Sequence, residues 1–209
     1  MLSVGQYDEE YRSCPCFWGK QPAKYVKEFV KRNLLSSPGD ILDLGAGEGK
    51  NAIYLCDTGH RVTAVEVSLF ATKNLLDRLV EEEKPRKLAV HLTEAAKFLG
   101  DTSQCFDAIV SYGMLHCLTS IQQVEEMLDM MAGHTKSSGI HIVSAFTDER
   151  PVPHVQKYLS PTLLPKDFIL QKYQGWEVIA YENDIIVESH PTSKEPHEHS
   201  LFRLIARRN

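Results

Sequence analysis

Three glycines and two carboxylates around one turn are the residues of this chain best suited to hold a ligand. Gly45, Gly47 and Gly49 follow a short apolar run, and Asp43 lies two residues before the first glycine. Glu66 ends the next apolar run, seventeen residues after Gly49. Glycines let a backbone approach a ligand closely. A strand–turn–helix unit with a carboxylate about 20 residues later is typical of nucleotide sites in open α/β sheets.

The charge at this turn indicates which kind of nucleotide it suits. The glycines run G-x-G-x-G, whereas dinucleotide-binding turns run G-x-G-x-x-G. Asp43 adds a negative charge that would repel a pyrophosphate. A nucleoside that carries an ammonium and a sulfonium would not be repelled. A dehydrogenase, or a tight turn in another α/β protein, is the alternative.

Length, composition and charge limit the class of protein. With 209 residues and a net charge of −5, the chain fits one soluble domain, residues 1–209. The acidic balance argues against nucleic acid or an anionic membrane as a partner. No apolar run is long enough for a membrane span, and the N-terminus does not resemble a signal peptide. We expect a cytoplasmic protein, either a monomer or a homodimer.

The hydrophobic pattern predicts strands and helices in alternation as far as residue 146. The five strands are expected at 41–44, 61–67, 88–92, 106–111 and 140–146. Helices between them imply a parallel sheet covered on both faces. The last third is expected to hold a short helix at 166–173, strands at 176–181 and 185–188, a polar loop at 190–199 and a strand at 200–207. The absence of a helix between the final strands predicts an antiparallel pair.

Residues 1–22 contain four aromatic side chains without a regular period. We interpret this stretch as an N-terminal arm that packs over the site, with Tyr7, Tyr11 and Trp18 as candidates for its walls. Aromatic rings can stabilise a sulfonium by cation–π contact. The alternative is that these rings only dock the arm onto the domain.

Several stretches together carry a family resemblance. They are Leu42-Asp-Leu-Gly-Ala-Gly-Glu-Gly-Lys-Asn51, Tyr54-Leu55 with Gly59, Tyr173-Gln-Gly-Trp-Glu177, Tyr181-Glu-Asn-Asp184 and the ending 202–208. The chain resembles the class I S-adenosylmethionine (SAM) dependent methyltransferases, and among them the small tellurite-resistance (TehB-like) enzymes. The resemblance implies a three-layer Rossmann-like α/β fold, with a mostly parallel central sheet and an antiparallel last strand pair. It also implies SAM as cofactor and a small-molecule acceptor, such as a chalcogen oxyanion or a thiol.

The resemblance also implies a set of cofactor contacts. They are Asp43, Gly45, Ala46, Gly47, Glu48, Asn51, Glu66, Val67, Glu94, Ala95 and Ser111. The turn residues would surround the methionine moiety, with Ser111 bordering it, and Glu66 would accept hydrogen bonds from the ribose hydroxyls. Glu94 and Ala95 would lie where the class recognises the adenine amino group. Asp43 could instead cap the turn, and Glu66 or Glu94 could be solvated.

Methyl transfer from a sulfonium is an in-line displacement with a neutral leaving group, so positioning of the nucleophile matters most. Tyr112, His116 and His190 are the candidates for catalysis. His116 follows the fourth strand, where the class places residues that face the methyl group, although it could simply pack there. His190 matches a histidine of the tellurite subfamily, but Pro191 stands where that subfamily has an arginine. The lack of an acid/base constellation favours a soft or already ionised acceptor.

We predict no metal site. His197 and His199 alternate along the chain and could share a strand face, but a metal would need a third ligand. The segment Cys14-Pro-Cys16 has no matching second pair and is interpreted as a loop. Two alternative functions stay open: a methyltransferase for RNA or a protein side chain, and a SAM-binding module without catalysis. A motif of the Asn/Asp-Pro-Pro-Tyr type after the fourth strand, which would favour the former, is absent.

Overall fold

The described part of the chain folds around one seven-stranded sheet. In a computed structural model, residues 7–154, 160–191 and 193–209 are described. The strands are β1 (Asp40–Leu44), β2 (Arg61–Glu66), β3 (Leu88–Leu92), β4 (Phe106–Tyr112), β5 (Thr135–Phe146), β6 (Glu177–His190) and β7 (Ser193–Arg207). The helices are α1 (Asp8–Ser13), α2 (Lys24–Lys31), α3 (Lys50–Asp57), α4 (Leu69–Glu81), α5 (Ala95–Asp101), α6 (Ile121–Gly133) and α7 (Phe168–Lys172).

The strand order creates a switch point in the middle of the sheet. The order is β3-β2-β1-β4-β5-β7-β6, and the pairs among the first five strands are parallel. β7 runs antiparallel between β5 and β6, as the sequence predicts for the last strands. The chain winds outward in opposite directions from β1 and β4, and open α/β sheets bind ligands at such a point, outside the carboxyl ends of the strands.

Two apolar clusters, one on each face of the sheet, hold the layers together. β1 shows the division, because Leu42 and Leu44 pack into one cluster and Ile41 into the other, all with 0% exposure. A parallel strand buried on both faces needs such a nearly continuous apolar run. α6 packs on the first cluster, and α2 and α3 pack on the second. The glycine turn therefore starts from a strand that is fixed on both sides.

In the last third of the chain, the strands are longer than the sequence predicts. The expected strands at 176–181 and 185–188 are one strand, β6, and the expected loop at 190–199 is wrong. Instead, β6 pairs with β7 from Glu177 opposite Arg207 to His190 opposite Ser193. β7 pairs with β5 only from Leu201 onward. The hairpin thus continues as a two-stranded ribbon beyond the sheet, and backbone pairing, not an apolar pattern, defines it.

The structure adds a short helix in the arm, α1, where the sequence shows no regular period. α5 is the helix between β3 and β4, whose bounds the sequence pattern did not define. Residues 1–6 of the arm and 155–159 of the polar segment lie outside the described residues. Among the helices that the structure describes, none combines the length and the apolar character needed to cross a lipid bilayer.

Candidate functional site

A cavity of about 600 Å³ opens at the switch point of the sheet. Segments that follow β1, β2, β3 and β4 line it, together with side chains of β5, β6 and β7 and part of the arm. The wall includes the glycine turn and Glu66, and it also includes Tyr112, His116 and Phe146. Most of the residues implied by the family resemblance are therefore brought together around one space.

The glycine turn is held in a conformation that side chains would not tolerate. Gly45, Gly47 and Gly49 have φ angles of 69°, 54° and 77°. A Cβ on Gly45 would lie 2.5 Å from the Cβ of Met114, and one on Gly47 would lie 3.0 Å from the hydroxyl of Tyr11. The turn needs glycine both for its positive φ angles and for these close approaches.

The Glu66 carboxylate is fixed by backbone N–H groups. One oxygen, Oε2, accepts from Gly47 N at 2.7 Å, and Oε1 accepts from Val67 N at 2.9 Å and Ser68 N at 2.8 Å. Burial raises the pKa of Glu66, and the three N–H donors oppose that effect. A carboxylate has about four acceptor positions. The contacts leave one of them for a ligand in the cavity.

Asp43 and Ser111 are buried and do not line the cavity, unlike the other cofactor contacts that the resemblance implies. Their exposures are 1% and 0%, and Asp43 Oδ2 and Ser111 Oγ have no hydrogen-bond partner. Burial, with the nearby charge of Glu66, raises the pKa of Asp43 to about 7. Both residues belong to buried strands, so their side chains lie behind the wall.

Polar side chains of the glycine turn and α3 hold the arm as well as lining the cavity. Glu48 Oε1 accepts from Cys16 N at 2.6 Å and from Asn74 Nδ2 at 2.8 Å. Asn51 Oδ1 accepts from Ala23 N at 2.9 Å. The Asn74 amide also donates to the carbonyl of Tyr11 at 2.9 Å. The contact of Glu48 with the arm and that of Asn51 with Ala23, which follows the arm, were not foreseen.

The described part of the arm, residues 7–22, forms one side of the cavity. Tyr7, Tyr11 and Trp18 line it, and Trp18 contacts Tyr7 and Phe17 edge to face with ring centroids 5.5 and 4.8 Å apart. The Lys50 ammonium donates to the carbonyl of Trp18 at 3.3 Å. These contacts position aromatic rings against the glycine turn.

The opposite part of the wall holds groups that are uncharged at neutral pH. His116 is 4% exposed, stacks on Phe146 at 4.0 Å, and accepts from Phe146 N at its Nδ1 atom at 3.4 Å. Burial lowers the pKa of His116 to about 3. Burial also raises the pKa of Tyr112, and it raises the pKa of the Cys117 thiol to about 12. Such groups can orient an acceptor but are poorly matched to proton removal near pH 7.

Acidic side chains dominate the charge of the described cavity wall. Its carboxylates are Glu48, Glu66, Glu94, Glu126 and Glu188. Lys50 is the single lysine or arginine among the described lining residues. A cationic ligand is therefore favoured over a pyrophosphate.

His190 does not line the cavity and lies instead at the end of β6. There it meets His197 and His199 of β7, with one ring nitrogen from each of the three within 4.8 Å of the others. Its ring also contacts Phe17 and Trp18 of the arm, with centroids 5.6 and 5.0 Å away. The sequence analysis required a third ligand beside His197 and His199, and the hairpin brings His190 to that position.

Several cavity residues were missed by the sequence analysis. Ser68, Thr93 and Met114 follow the carboxyl ends of β2, β3 and β4. Their positions just after predicted strands were a usable signal. Asn74 was also missed; it does not line the cavity but supports it, because the fold brings its amide from α4 to Glu48.

The fold is shared with a solved structure. TehB from Haemophilus influenzae superposes with a TM-score of 0.72 and 21% identity, covering 88% of this chain and 62% of that chain. Together with the strand order and the switch-point cavity, this likeness shows a Rossmann-like α/β fold.

The family follows from the sequence match. The model of the family described as tellurite resistance protein TehB matches residues 22–200, so the chain belongs to that family. A curated relative, "Probable S-adenosyl-L-methionine-dependent methyltransferase TehB" of Haemophilus influenzae, is 26% identical over 76% of this chain and 52% of its own length. "Hemagglutinin 1" of Eikenella corrodens is 27% identical over 71% of this chain and 47% of its own length. The chain thus spans about half the length of these relatives.

Proposed function

We propose that the protein transfers a methyl group from SAM to a small-molecule acceptor. The observation that carries the proposal is one cavity whose wall joins the glycine turn and Glu66 to Tyr112, His116 and Phe146. A nucleoside site and an acceptor site therefore share a single space. Family membership and the name of the curated TehB relative support the same activity.

The residues of the turn fit a sulfonium nucleoside. Positive φ angles at Gly45 and Gly47 open the backbone, Glu66 has one free acceptor position, and the wall carries five carboxylates against one lysine. Gly45, Ala46 and Gly47 would hold the methionine moiety, Glu66 the ribose, and Val67, Glu94 and Ala95 the adenine. The carboxylate of Asp43, buried behind the turn, would attract the positive charge of the methionine moiety. When bound, SAM supplies an electrophilic methyl group on a positively charged sulfur.

The chain's own contribution is to position the acceptor and exclude water. The arm covers the cavity with Tyr11 and Trp18, and a dry site strengthens the electrostatic attraction between charged groups within it. Tyr112 and the neutral His116 can hold an acceptor by hydrogen bonds. Because these groups are poor bases near pH 7, we propose a soft or already ionised acceptor, a thiol that reacts as its thiolate or a chalcogen oxyanion. The sulfonium of bound SAM, together with Lys50 beside Trp18, would offset the acidic wall for such an anion.

A small acceptor is favoured over RNA or a protein. The arm closes one side of the cavity, and the wall is mostly acidic, which would repel a phosphate backbone. The chain's net charge of −5 acts in the same direction. We further propose that the protein works in the cytoplasm as a monomer or a homodimer.

The test is a set of acceptors incubated with labelled SAM: tellurite, selenite, thiols, small amines and phenols. We expect label in a thiol or a chalcogen oxyanion. Label in amines or phenols alone would overturn the acceptor proposal. SAM binding without any labelled product would favour a binding module, and the absence of SAM binding would overturn the function itself.

The variant Lys50→Met tests the acceptor side separately. We expect it to raise KM for an anionic acceptor at least several-fold with little change in S-adenosylhomocysteine affinity. Lys73→Met is the matched control, because Lys73 is exposed on α4 and does not line the cavity. Equal effects of the two substitutions would remove Lys50 from the acceptor site.

A further inference from the structure

We propose that His190, His197 and His199 form a binding site for a divalent transition metal of the Zn²⁺ class. We call these residues the three-histidine cluster. One ring nitrogen from each residue lies within 4.8 Å of those of the other two. The inference does not depend on the proposed methyl transfer, because it concerns the metal-binding capacity of the hairpin.

The strand register explains why the three rings meet. His197 and His199 alternate along β7 and so lie on one face of it. They stand opposite Glu188 and Ile186 of β6, and both of these residues line the cavity. His190 is the last residue of β6, and the turn of the hairpin lies between it and His197. The cluster is therefore built on the cavity-facing side of the two-stranded ribbon.

The separations suit a single small ion. His190 Nε2 and His197 Nε2 are 3.1 Å apart. Four ligands placed tetrahedrally around Zn²⁺ at its usual Zn–N distance are about 3.3 Å apart. The ring nitrogens that are farthest apart are at most 4.8 Å from each other. Rotation of the side chains is enough to bring them to the distance that a shared ion requires. Three imidazoles plus one open position are a common ligand set for Zn²⁺.

The burial of the rings points to a ligand. His190, His197 and His199 are 9%, 8% and 4% exposed, and His199 Nε2 is buried without a hydrogen-bond partner. A buried polar atom without a partner is costly, and a metal would satisfy it. His197 Nδ1 lies 2.9 Å from the carbonyl of Glu195, a contact that orients the ring and leaves Nε2 for the metal.

The surroundings of the cluster link it to both the arm and the cavity. Glu188 Oε2 lies 3.9 Å from His190 Nε2, close enough to hydrogen-bond a metal-bound water. Phe17 stacks on His190 at 5.6 Å, and Phe146 stacks on His199 at 4.2 Å. A bound ion would fix the ribbon against the arm and against the wall that carries His116. Its role there is to position these elements.

The experiment measures metal binding on protein without an affinity tag, stripped with a chelator. Zn²⁺ is titrated in competition with a chromophoric chelator, and Co²⁺ is followed by its visible spectrum. We expect one Zn²⁺ per chain and a Co²⁺ spectrum of tetrahedral type. His190→Ala, His197→Ala and His199→Ala should each weaken Zn²⁺ binding by at least about tenfold.

His91→Ala is the matched control, since His91 is exposed on β3, at the opposite edge of the sheet from β6. It should bind Zn²⁺ like the parent protein. Circular dichroism and a thermal melt of the metal-free variants report whether they are folded. The proposal is overturned if the parent protein binds no stoichiometric Zn²⁺, or if folded cluster variants keep the parent affinity. In either case the histidines are only a packed, hydrogen-bonded group.

Discussion

Glu66 has two tasks in this site, and they can be separated by measurement. Its carboxylate accepts from three backbone N–H groups, including Gly47 N of the glycine turn. It also lines the cavity with one acceptor position left for a ribose hydroxyl. Removing the carboxylate therefore affects both the shape of the turn and the contact with the nucleoside.

We expect Glu66→Ala to weaken S-adenosylhomocysteine binding by about 10- to 100-fold, because a hydrogen bond to a charged group contributes about 1.5–3 kcal/mol. Isothermal titration calorimetry gives the affinity, and a thermal melt without ligand gives the loss of stability. Glu94→Ala, an exposed carboxylate on the same wall, should cost less. Unchanged affinity in Glu66→Ala would exclude Glu66 from the ribose site.

Asp43 makes the ligand-free protein sensitive to pH. Burial and the nearby Glu66 raise its pKa from 3.8 to about 7. A carboxyl whose pKa is raised by folding contributes stability that is complete below about pH 4, and this contribution is lost as the pH rises to about 7. The ionised form is the one that costs free energy in the fold.

We expect Asp43→Asn to gain stability relative to the parent protein as the pH rises. Between pH 5 and pH 8 the difference in free energy of unfolding should shift by about 2 kcal/mol in favour of the variant. Urea unfolding of both ligand-free proteins at the two pH values measures it. Parallel stability curves would show that Asp43 does not titrate in this range.

At the scale of elements, the arm packs on α4 through a small apolar cluster of Tyr11, Phe17 and Ala71 and is tied to the site by specific hydrogen bonds. Glu48 accepts from Cys16 N, and the Asn74 amide donates to the carbonyl of Tyr11. The hydroxyl of Ser68 donates to the carboxylate of Asp8. None of these contacts belongs to the sheet, so the sheet can fold without them.

Deleting residues 1–20 should reduce turnover far more than it lowers Tm, because the cavity would open to water while the two clusters on the sheet stay intact and only the small cluster between the arm and α4 is lost. Steady-state kinetics and a thermal melt on the same preparation make the comparison. Asn74→Ala should act in the same direction but more weakly, since it removes only one anchor. A proportionate loss of activity and stability would make the arm a structural part of the core.

The elements that the sequence predicts well are those with a clear apolar pattern. β1 and β4 are buried on both faces and were placed within about one residue. Residues 190–199 were wrongly predicted as a loop because they are mostly polar, and their strand structure is defined by pairing across the hairpin. The three-histidine cluster was hidden for the same reason.

The cofactor half of the site was more predictable than the rest. Gly45, Gly47 and Glu66 lie on the cavity as a local motif implies. Glu48 could be assigned to the turn, but its contact with Cys16, 32 residues away, depends on how the arm folds back. Local spacing carries no information on such contacts.

At the scale of the whole molecule, the cavity combines a negative wall with an acidic chain of net charge −5. We expect SAM and S-adenosylhomocysteine to bind and NAD to give no measurable heat in calorimetry, because its pyrophosphate would face Glu48 and Glu66. S-adenosylhomocysteine serves as the uncharged-sulfur control for SAM. NAD binding that competes with SAM would mean that the turn accepts a pyrophosphate after all.

The two-stranded ribbon that extends beyond the sheet has a consequence for how the sequences of this family can evolve. Because β7 leaves β5 at Leu201, the outer part of the hairpin pairs with itself, and the ribbon meets the end of β5 at its base, where His199 stacks on Phe146 and the Ser200 carbonyl accepts from Thr147 N. Insertions or deletions at the tip can thus reshape the room for an acceptor while the nucleoside half stays untouched. Sequence changes confined to this hairpin could therefore alter which acceptor is preferred, while the rest of the chain still folds.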